Sequence, residues 1–457
     1  MTDLRCTRRR IFGRIGRRQF GRYALAAGAS LAAARAGLGL AAAAAPGGRQ
    51  VFAHYMVCCP MAGLDAEAAD YLPEMRQAQA MGIDAFALNV GGWKQEPIYP
   101  AVTARLFAAA RSLGNDFKLF FSIDGLEIDE AVAMLSAYYD HPAYFRHGGK
   151  PLLSCYSGDA DWAAALLAAL AKVHRPVFFV PAFFPPRSGE RFSQAGVRQL
   201  IAQNPELDGF FYFGGAGTGV EIAERSRRIG DAWHSAGKLY MAPVTPYYRG
   251  MDGNYRLFET RGFEGMAQQW QSAIETDAQW VEIVTWNDWG ESTYVASFGP
   301  PNATELWDGR WGPILSHAGY LAASQYYIRW FKTGAQQIDR DRLFWFYRLA
   351  PRSRPGRRIP EGKPQSFPKG AGLLEDRVFA SAFLTAPAVL HIESGGRPYE
   401  FPLAAGVHHV AADFAPGPQR FRLERGGQRL LAGEGAFPIA EDNWSNFNYL
   451  SGEARPA

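Results

Sequence analysis

Cysteine is scarce: the 457 residues hold only Cys6, Cys58, Cys59 and Cys155. Cys6 lies in a basic N-terminal segment. The remaining three are odd in number and two are adjacent, which makes neither a disulfide framework nor a zinc-ligand spacing. They read as core fillers. No phosphate-binding loop or dinucleotide fingerprint is present, and the nine His are scattered, so neither a metal nor a cofactor is expected. A basic surplus is missing as well. The formal charge is +4, but residues 1–48 carry nine Arg against one Asp, which leaves the rest of the chain at about −4. A mildly acidic body argues against a nucleic-acid footprint.

Long apolar runs are also lacking. The Ala- and Gly-rich stretch from Tyr23 to Ala45 contains Arg35 and few large apolar residues, so no stable membrane span is expected there. It follows Arg17-Arg18-Gln19-Phe20, a twin-arginine signature, with a weaker copy at Arg9-Arg10-Ile11-Phe12. The small residues Ala41–Ala45 before Pro46 offer cleavage sites. Residues 1–48 therefore read as a twin-arginine signal peptide, and the mature protein as secreted or periplasmic in a bacterium. Twin-arginine cargo folds before export, which suits reduced, buried cysteines.

What is abundant is apolar and aromatic: 48% hydrophobic residues, with 12 Trp, 20 Tyr and 31 Phe. That is ample for a large core, and the surplus of flat rings suits a protein that stacks against sugars. Eight short apolar runs alternate with amphipathic helical patterns: 51–57, 84–90, 117–124, 151–156, 177–184, 207–214, 238–245 and 280–288. They are nearly continuous in hydrophobicity, as strands buried on both faces are. Helices are expected at 66–81, 101–113, 129–139, 159–173, 219–236, 262–277 and 314–331. Eight alternations predict a (β/α)8 TIM barrel over residues 49–340. After an Arg/Pro/Gly-rich stretch at 350–372, shorter alternating runs at 378–384, 389–393, 399–403, 408–414 and 419–425 predict a small C-terminal antiparallel β-sandwich domain within 341–457.

The working face of such a barrel is the C-terminal end of its strands. Asp84 and Asp208 open strands and belong to the opposite face. Asp124 closes the third strand, Asp288 closes the eighth, and Glu291 follows three residues later. Carboxylates that meet at an aromatic mouth suit glycoside hydrolysis: one must be protonated to assist the leaving oxygen, another ionised to activate water or attack carbon. The alternative is that Asp124 or Asp288 caps a loop or pairs with Arg. Trp93, Tyr212, Tyr247, Tyr248, Trp286 and Trp289 lie at or beyond strand ends, as a sugar cleft or as packing. His54, Tyr55, Asn89 and Asn287 are placed to bind hydroxyls or to satisfy the core.

These motifs also carry a family resemblance. Val-Phe-Ala-His-Tyr-Met-Val at 51–57, Gly-Ile-Asp-Ala-Phe-Ala-Leu-Asn-Val at 82–90, Lys-Leu-Phe-Phe-Ser-Ile-Asp at 118–124 and Thr-Trp-Asn-Asp-Trp-Gly-Glu-Ser at 285–292 together resemble glycoside hydrolase family 71, the α-1,3-glucanases or mutanases. His141-Pro142 through Lys150-Pro151 and Leu-Phe-Trp-Phe-Tyr-Arg at 343–348 extend the likeness over about residues 50–450. The resemblance implies endo-hydrolysis of α-1,3-glucan with inversion and without metal. It also implies catalytic roles for Asp288, Glu291 and Asp124, and a polysaccharide as partner; a monomer is expected. Cys58-Cys59-Pro60 departs from the family's usual Gly-containing loop. The competing readings are a family 99-like glycosidase acting on α-mannan, and a non-catalytic polysaccharide-binding protein.

Replacing Arg17 and Arg18 with Lys is expected to leave folded protein in the cytoplasm. Fractionation showing unchanged export would count against twin-arginine translocation, once the Arg9-Arg10 copy has also been changed.

Overall fold

Apolar residues in the early strands are enclosed on both sides, and the sheet they form is parallel. In the computed structural model, β1 (Gln50–Met56), β2 (Ala85–Val90), β3 (Lys118–Asp124) and β5 (Lys150–Gly158) pair side by side in parallel. On the other flank of β1 lie β10 (Trp280–Ile283), β9 (Leu239–Val244) and β8 (Gly209–Phe211), also parallel. Every residue of β2 and β10 is buried. The expected fifth strand is split into β6 (Phe178–Phe179) and β7 (Ala182–Phe183), both against β5. Between β7 and β8 the ladder gives way to one backbone hydrogen bond, from the Phe211 N–H to the Pro181 carbonyl at 2.9 Å. The two-residue β4 (Arg146–His147) forms a hairpin with β5.

The structure describes residues 48–114, 116–183, 192–250, 254–297, 314–354, 367–441 and 447–457. The expected signal peptide, apart from Gly48, lies outside the described residues. So do Phe184 of the fifth run and residues 355–366 of the Arg/Pro/Gly-rich stretch. Among the described residues, no helix is long and apolar enough to cross a membrane.

A helix follows each strand position: α1 (Leu72–Ala80), α2 (Ile98–Ser112), α3 (Ile128–Tyr138), α4 (Ala160–Lys172), α5 (Gln194–Gln203), α6 (Gly219–Ser235), α7 (Glu264–Glu275) and α8 (Ala318–Thr333). Their starts follow local chemistry. Asp159 caps α4 by accepting the Trp162 N–H at 2.8 Å, and Thr218 with Glu221 forms a capping box on α6. The helix α5 was not among the expected ones; Ser193 caps it by accepting the Gly196 N–H at 3.2 Å.

At the face opposite the strand C-termini, Asp84 and Asp208 work as acceptors. Asp84 takes the Val51 N–H and Asp208 the Phe179 N–H, each at 2.8 Å. Both acids thus tie neighbouring strand starts together.

The C-terminal residues form two antiparallel sheets. One holds β11 (Arg342–Arg348), β12 (Arg377–Leu384), β15 (Gly406–Asp413) and β18 (Tyr449–Glu453). The other holds β13 (Ala388–Ser394), β14 (Arg397–Leu403), β16 (Gln419–Arg425), β17 (Gln428–Glu434) and β19 (Arg455–Pro456). Side chains alternate faces along β11. Leu343, Trp345 and Tyr347 enter the core shared by the two sheets, where Trp345 stacks on Phe421 at 4.9 Å. Phe344 and Phe346 enter the core of the helix-wrapped sheet instead. Phe346 lies 4.7 Å from Tyr320 of α8 and stacks at 6.2 Å on Phe263. Gly262 makes that approach feasible: its φ is +62°, and a Cβ there would stand 2.8 Å from the Phe346 Cβ. Residues 49–457 form one compact unit.

Deletion of residues 341–457 is expected to expose Phe263, Tyr320 and Tyr327 and to give aggregated protein by size-exclusion chromatography. A soluble, active truncation would show that the C-terminal sheets are dispensable to the rest.

Candidate active site

The expected eighth strand ends early. β10 stops at Ile283, and Asp288 stands in the loop beyond it rather than on the strand. The cause is a change of pairing: Thr285 turns away from the sheet and exchanges backbone hydrogen bonds with Thr293 and Val295, at 2.9 and 3.1 Å. Within that loop two side chain-to-backbone turns follow one another. The Thr285 hydroxyl accepts the Asp288 N–H, and the Asp288 carboxylate accepts the Glu291 N–H, both at 2.9 Å. Each turn spans three residues, and together they present both carboxylates from one short segment.

That segment is fixed from three sides. Asn287 is fully enclosed; its amide accepts the Met56 N–H at 2.7 Å and donates to the Met56 and Cys59 carbonyls at 3.1 and 2.9 Å. The Trp289 indole donates to the same Cys59 carbonyl at 2.9 Å. On the β9 side, the Arg249 N–H donates to the Glu291 carbonyl, and its guanidinium to the Gly290 carbonyl, each at 2.9 Å. Below, the Trp286 indole donates at 2.9 Å to Glu74, a buried acid on α1 that also accepts from the Tyr55 hydroxyl. Burial pushes the Glu74 carboxyl up to about 7.

Asp124 ends β3 as expected, and the Asn89 amide donates to it at 3.3 Å. The hydroxyl of Tyr156, raised above its ordinary value chiefly by burial, is raised further by the charges of Glu291, Asp124 and Asp288. Tyr156 is half-buried, as are the three carboxylates. Deeper in the sheet, the His54 imidazole holds Glu282 through Nδ1 at 2.8 Å. Its Nε2 is buried without a partner among the described residues. The same imidazole favours the ionised forms of Asp124 and Asp288.

The carboxyl groups have unequal surroundings. Glu291 is pushed up to about 8, first by burial and then by the charge of Asp288; the Tyr248 hydroxyl, donating to it at 3.1 Å, and Arg256 and Arg249 oppose this. Burial also raises Asp288, but the N–H groups of Glu291 and Gly290 and the charges of His54 and Arg249 favour its ionised form. Asp124 is raised by burial against Asn89 and His54. One acid that keeps its proton beside another supplied with backbone donors is the pairing that acid–base chemistry needs.

The other expected sugar-binding residues divide. His54 and Asn89 are buried, His54 on Glu282 and Asn89 beside Asp124, whereas Trp93 is half-buried and packs edge-on to Phe121 at 6.4 Å. Tyr55, Trp286 and Asn287 are enclosed and bonded within the wall, and Trp289 is 4% exposed. Tyr247 is enclosed, with its hydroxyl on the Phe447 carbonyl at 2.8 Å. Tyr212 packs 5.0 Å from Phe192. Sequence reasoning did not single out Glu282, Tyr156, Arg256 or Glu74. Glu282 had a signal, a lone charge inside an apolar strand. Glu74 had none, since its partners come from remote segments. Among the described residues, no group of three or more His, Cys, Asp or Glu side chains is placed to hold a metal ion.

Half-buried carboxyls of unequal proton affinity at the C-terminal ends of a parallel sheet are the equipment of a glycoside hydrolase. Residues 47–457 match glycosyl hydrolase family 71, and the chain belongs to that family. It is 28% identical over 420 residues to a mutanase of Penicillium rubens, covering 88% of this chain and 87% of that protein. It is 26% identical over 403 residues to a glucan endo-1,3-alpha-glucosidase of Schizosaccharomyces pombe, covering 83% and 89%. Among solved structures it is similar to the GH99 endo-alpha-mannosidase of Bacteroides thetaiotaomicron, with 17% identity, 63% of this chain and 99% of that one covered, and a TM-score of 0.48.

Glu291 keeps its proton in the folded protein at pH values where the unfolded chain has lost it. Its burial therefore lowers stability progressively as pH rises from the ordinary carboxyl range to about 8. Glu291→Gln removes that titration. The melting temperature of the variant is expected to gain on the wild type between about pH 5 and pH 8 and to gain no further above. A constant difference across that range would show that Glu291 is already ionised.

Proposed function

We propose that the protein is a secreted, endo-acting α-1,3-glucanase of a bacterium that inverts the anomeric carbon, working from the mouth of a closed (β/α)8 barrel. The observation that carries this reading is the unequal proton affinity of Asp288 and Glu291, two carboxyls three residues apart. The names of the fungal relatives supply the linkage. Glu291 is the general acid: it holds a proton at neutral pH, and the Tyr248 hydroxyl occupies one of its oxygens, so the other directs the proton to the glycosidic oxygen. Asp288 or Asp124 is the base that takes a proton from water as the oxygen attacks carbon. Hydrolysis on this scheme uses a proton donor, a base and water, and calls for no cofactor.

The glucan is held by groups around the three acids. His54 Nε2 and the Asn89 amide bind hydroxyls, and Trp93 offers a face to a ring. Tyr55, Tyr212, Tyr247, Trp286, Asn287 and Trp289 act at one remove by holding the walls. The protein works as a monomer on an insoluble polymer, after export by the twin-arginine signal.

Asp288→Asn and Glu291→Gln are each expected to lower turnover by at least about 10²-fold, the lower end for removal of a general acid or base, with the fold intact by circular dichroism. Wild-type products should be followed by NMR in the first minutes, before mutarotation. An initial β-anomer from an α-1,3-glucan is expected. An initial α-anomer would sink the inverting scheme, and cleavage of α-mannan but not mutan would move the enzyme to a different substrate.

A further inference from the structure

We propose that Cys58 and Cys59 are a reversible modification site, whose oxidation to a vicinal disulfide slows turnover at the neighbouring carboxylates. β1 ends at Met56, and the chain turns back through a hydrogen bond from the Cys59 N–H to the Met56 carbonyl at 3.1 Å. The turn brings the two Sγ atoms to 2.8 Å from each other, inside ordinary sulfur–sulfur contact. Cys58 is half-buried and Cys59 is 8% exposed. Cys58 is therefore the sulfur that an external reagent meets first, with Cys59 poised behind it. Cys155 is enclosed in β5.

The chemistry balances with a disulfide oxidant, either a small-molecule disulfide or a protein thiol–disulfide oxidase. The Cys58 thiolate attacks the oxidant's S–S bond, forms a mixed disulfide and releases one thiolate. The Cys59 thiolate then attacks Cys58 Sγ, closes the ring and releases the second. The pair loses two electrons and two protons, and the oxidant ends as two thiols. Adjacent Cα atoms are about 3.8 Å apart, below the roughly 4.4–6.8 Å that a disulfide usually spans, so the ring is strained and readily reduced. Strain of that kind makes a switch rather than a structural staple.

The link to turnover is the Cys59 carbonyl. It accepts from the Asn287 amide and the Trp289 indole, each at 2.9 Å, and these residues flank Asp288. An eight-membered ring encloses the Cys58–Cys59 peptide, whose N–H, that of Cys59, donates to the Met56 carbonyl that Asn287 also bonds; closing the ring turns that peptide and, through the Cys59 Cα, displaces the adjoining Cys59 carbonyl. Two buried donors then lose a partner, which is unfavourable unless the 286–291 segment shifts to follow.

The rate readout rests on the hydrolase reading above, whereas the chemical and exchange readouts do not. The purified full-length protein is treated with glutathione disulfide or with a phosphine reductant. It is then alkylated under denaturing conditions, digested and weighed. The oxidised sample is expected to yield the peptide carrying Cys58 and Cys59 lighter by two hydrogens and unalkylated. The reduced sample should carry two alkyl groups there. Turnover on a soluble α-1,3-linked oligosaccharide should fall at least about fivefold on oxidation, as when one buried hydrogen bond is lost at a positioned group, and recover on reduction. Cys58→Ser should be insensitive to the oxidant. Hydrogen–deuterium exchange over residues 286–291 should quicken in the oxidised form. A stable glutathione adduct, or two alkylated thiols after oxidation, overturns the disulfide. A formed disulfide with unchanged exchange overturns the coupling, even if no glucan is cleaved. A formed disulfide with quickened exchange but no hydrolysis in either state refutes the hydrolase reading alone.

Discussion

The side-chain amide of Asn287 is the contact on which the mouth of this protein depends. It joins the loop after β10 to the end of β1 and the turn beyond it through three hydrogen bonds of 2.7–3.1 Å. β1 and β10 are neighbours in the sheet, and Asn287 carries that neighbourhood beyond the point where their ladder ends. Between Trp286, anchored on Glu74, and Trp289, anchored on Cys59, Asp288 has little freedom to move. Enclosed amides of this kind tolerate few replacements, because each lost bond strands a partner without solvent. Aspartate in that place would supply the acceptor but not the donors.

The electrostatics follow from the same enclosure. Burial raises Glu74, Asp124, Glu282, Asp288 and Glu291 alike, and the local donors then separate them. Asp288 receives backbone N–H groups from the turn it helps to form, whereas Glu291 receives a phenol and the repulsion of Asp288. The geometry of one short loop therefore sets both the position and the protonation of two acids. His54 and Glu282 form a second buried pair, with the imidazole oriented by its Nδ1 contact and Nε2 left without a partner among the described residues.

Much of this could be read from the residues. Continuous apolar runs marked the parallel strands because both faces of the sheet are covered. Asp124 stood at a strand end, and the spacing of Asp288 and Glu291 placed them together. The strand ending at Ile283 was not legible, since Val284, Thr285 and Trp286 are as strand-like as the residues before them; only the competing pairing with Thr293 and Val295 breaks the ladder. Nor was the division of the aromatic residues. Tyr247 and Trp286 look like sugar platforms in sequence, yet Phe447 and Glu74, 200 and 212 positions away in the chain, claim their polar atoms. Long-range partners of that kind leave no local trace. β11 is a continuous apolar run in sequence, and that its two faces serve two different cores was not visible: Phe346 reaches Phe263, and Trp345 turns the opposite way to Phe421.

β18 lies near the end of the described chain and pairs with β11. The residues just before it brace the loops around the mouth: the Phe447 carbonyl holds Tyr247, and Asn448 contacts both His317 and the Tyr294 hydroxyl. During synthesis, a nascent chain that already contains every carboxylate of the mouth still lacks these braces. The ribosome must pass residue 453 before the strand that carries them can dock. Assembly of the mouth is thereby postponed to a late moment of translation, and a prematurely terminated chain carries the acids without the frame that aligns them.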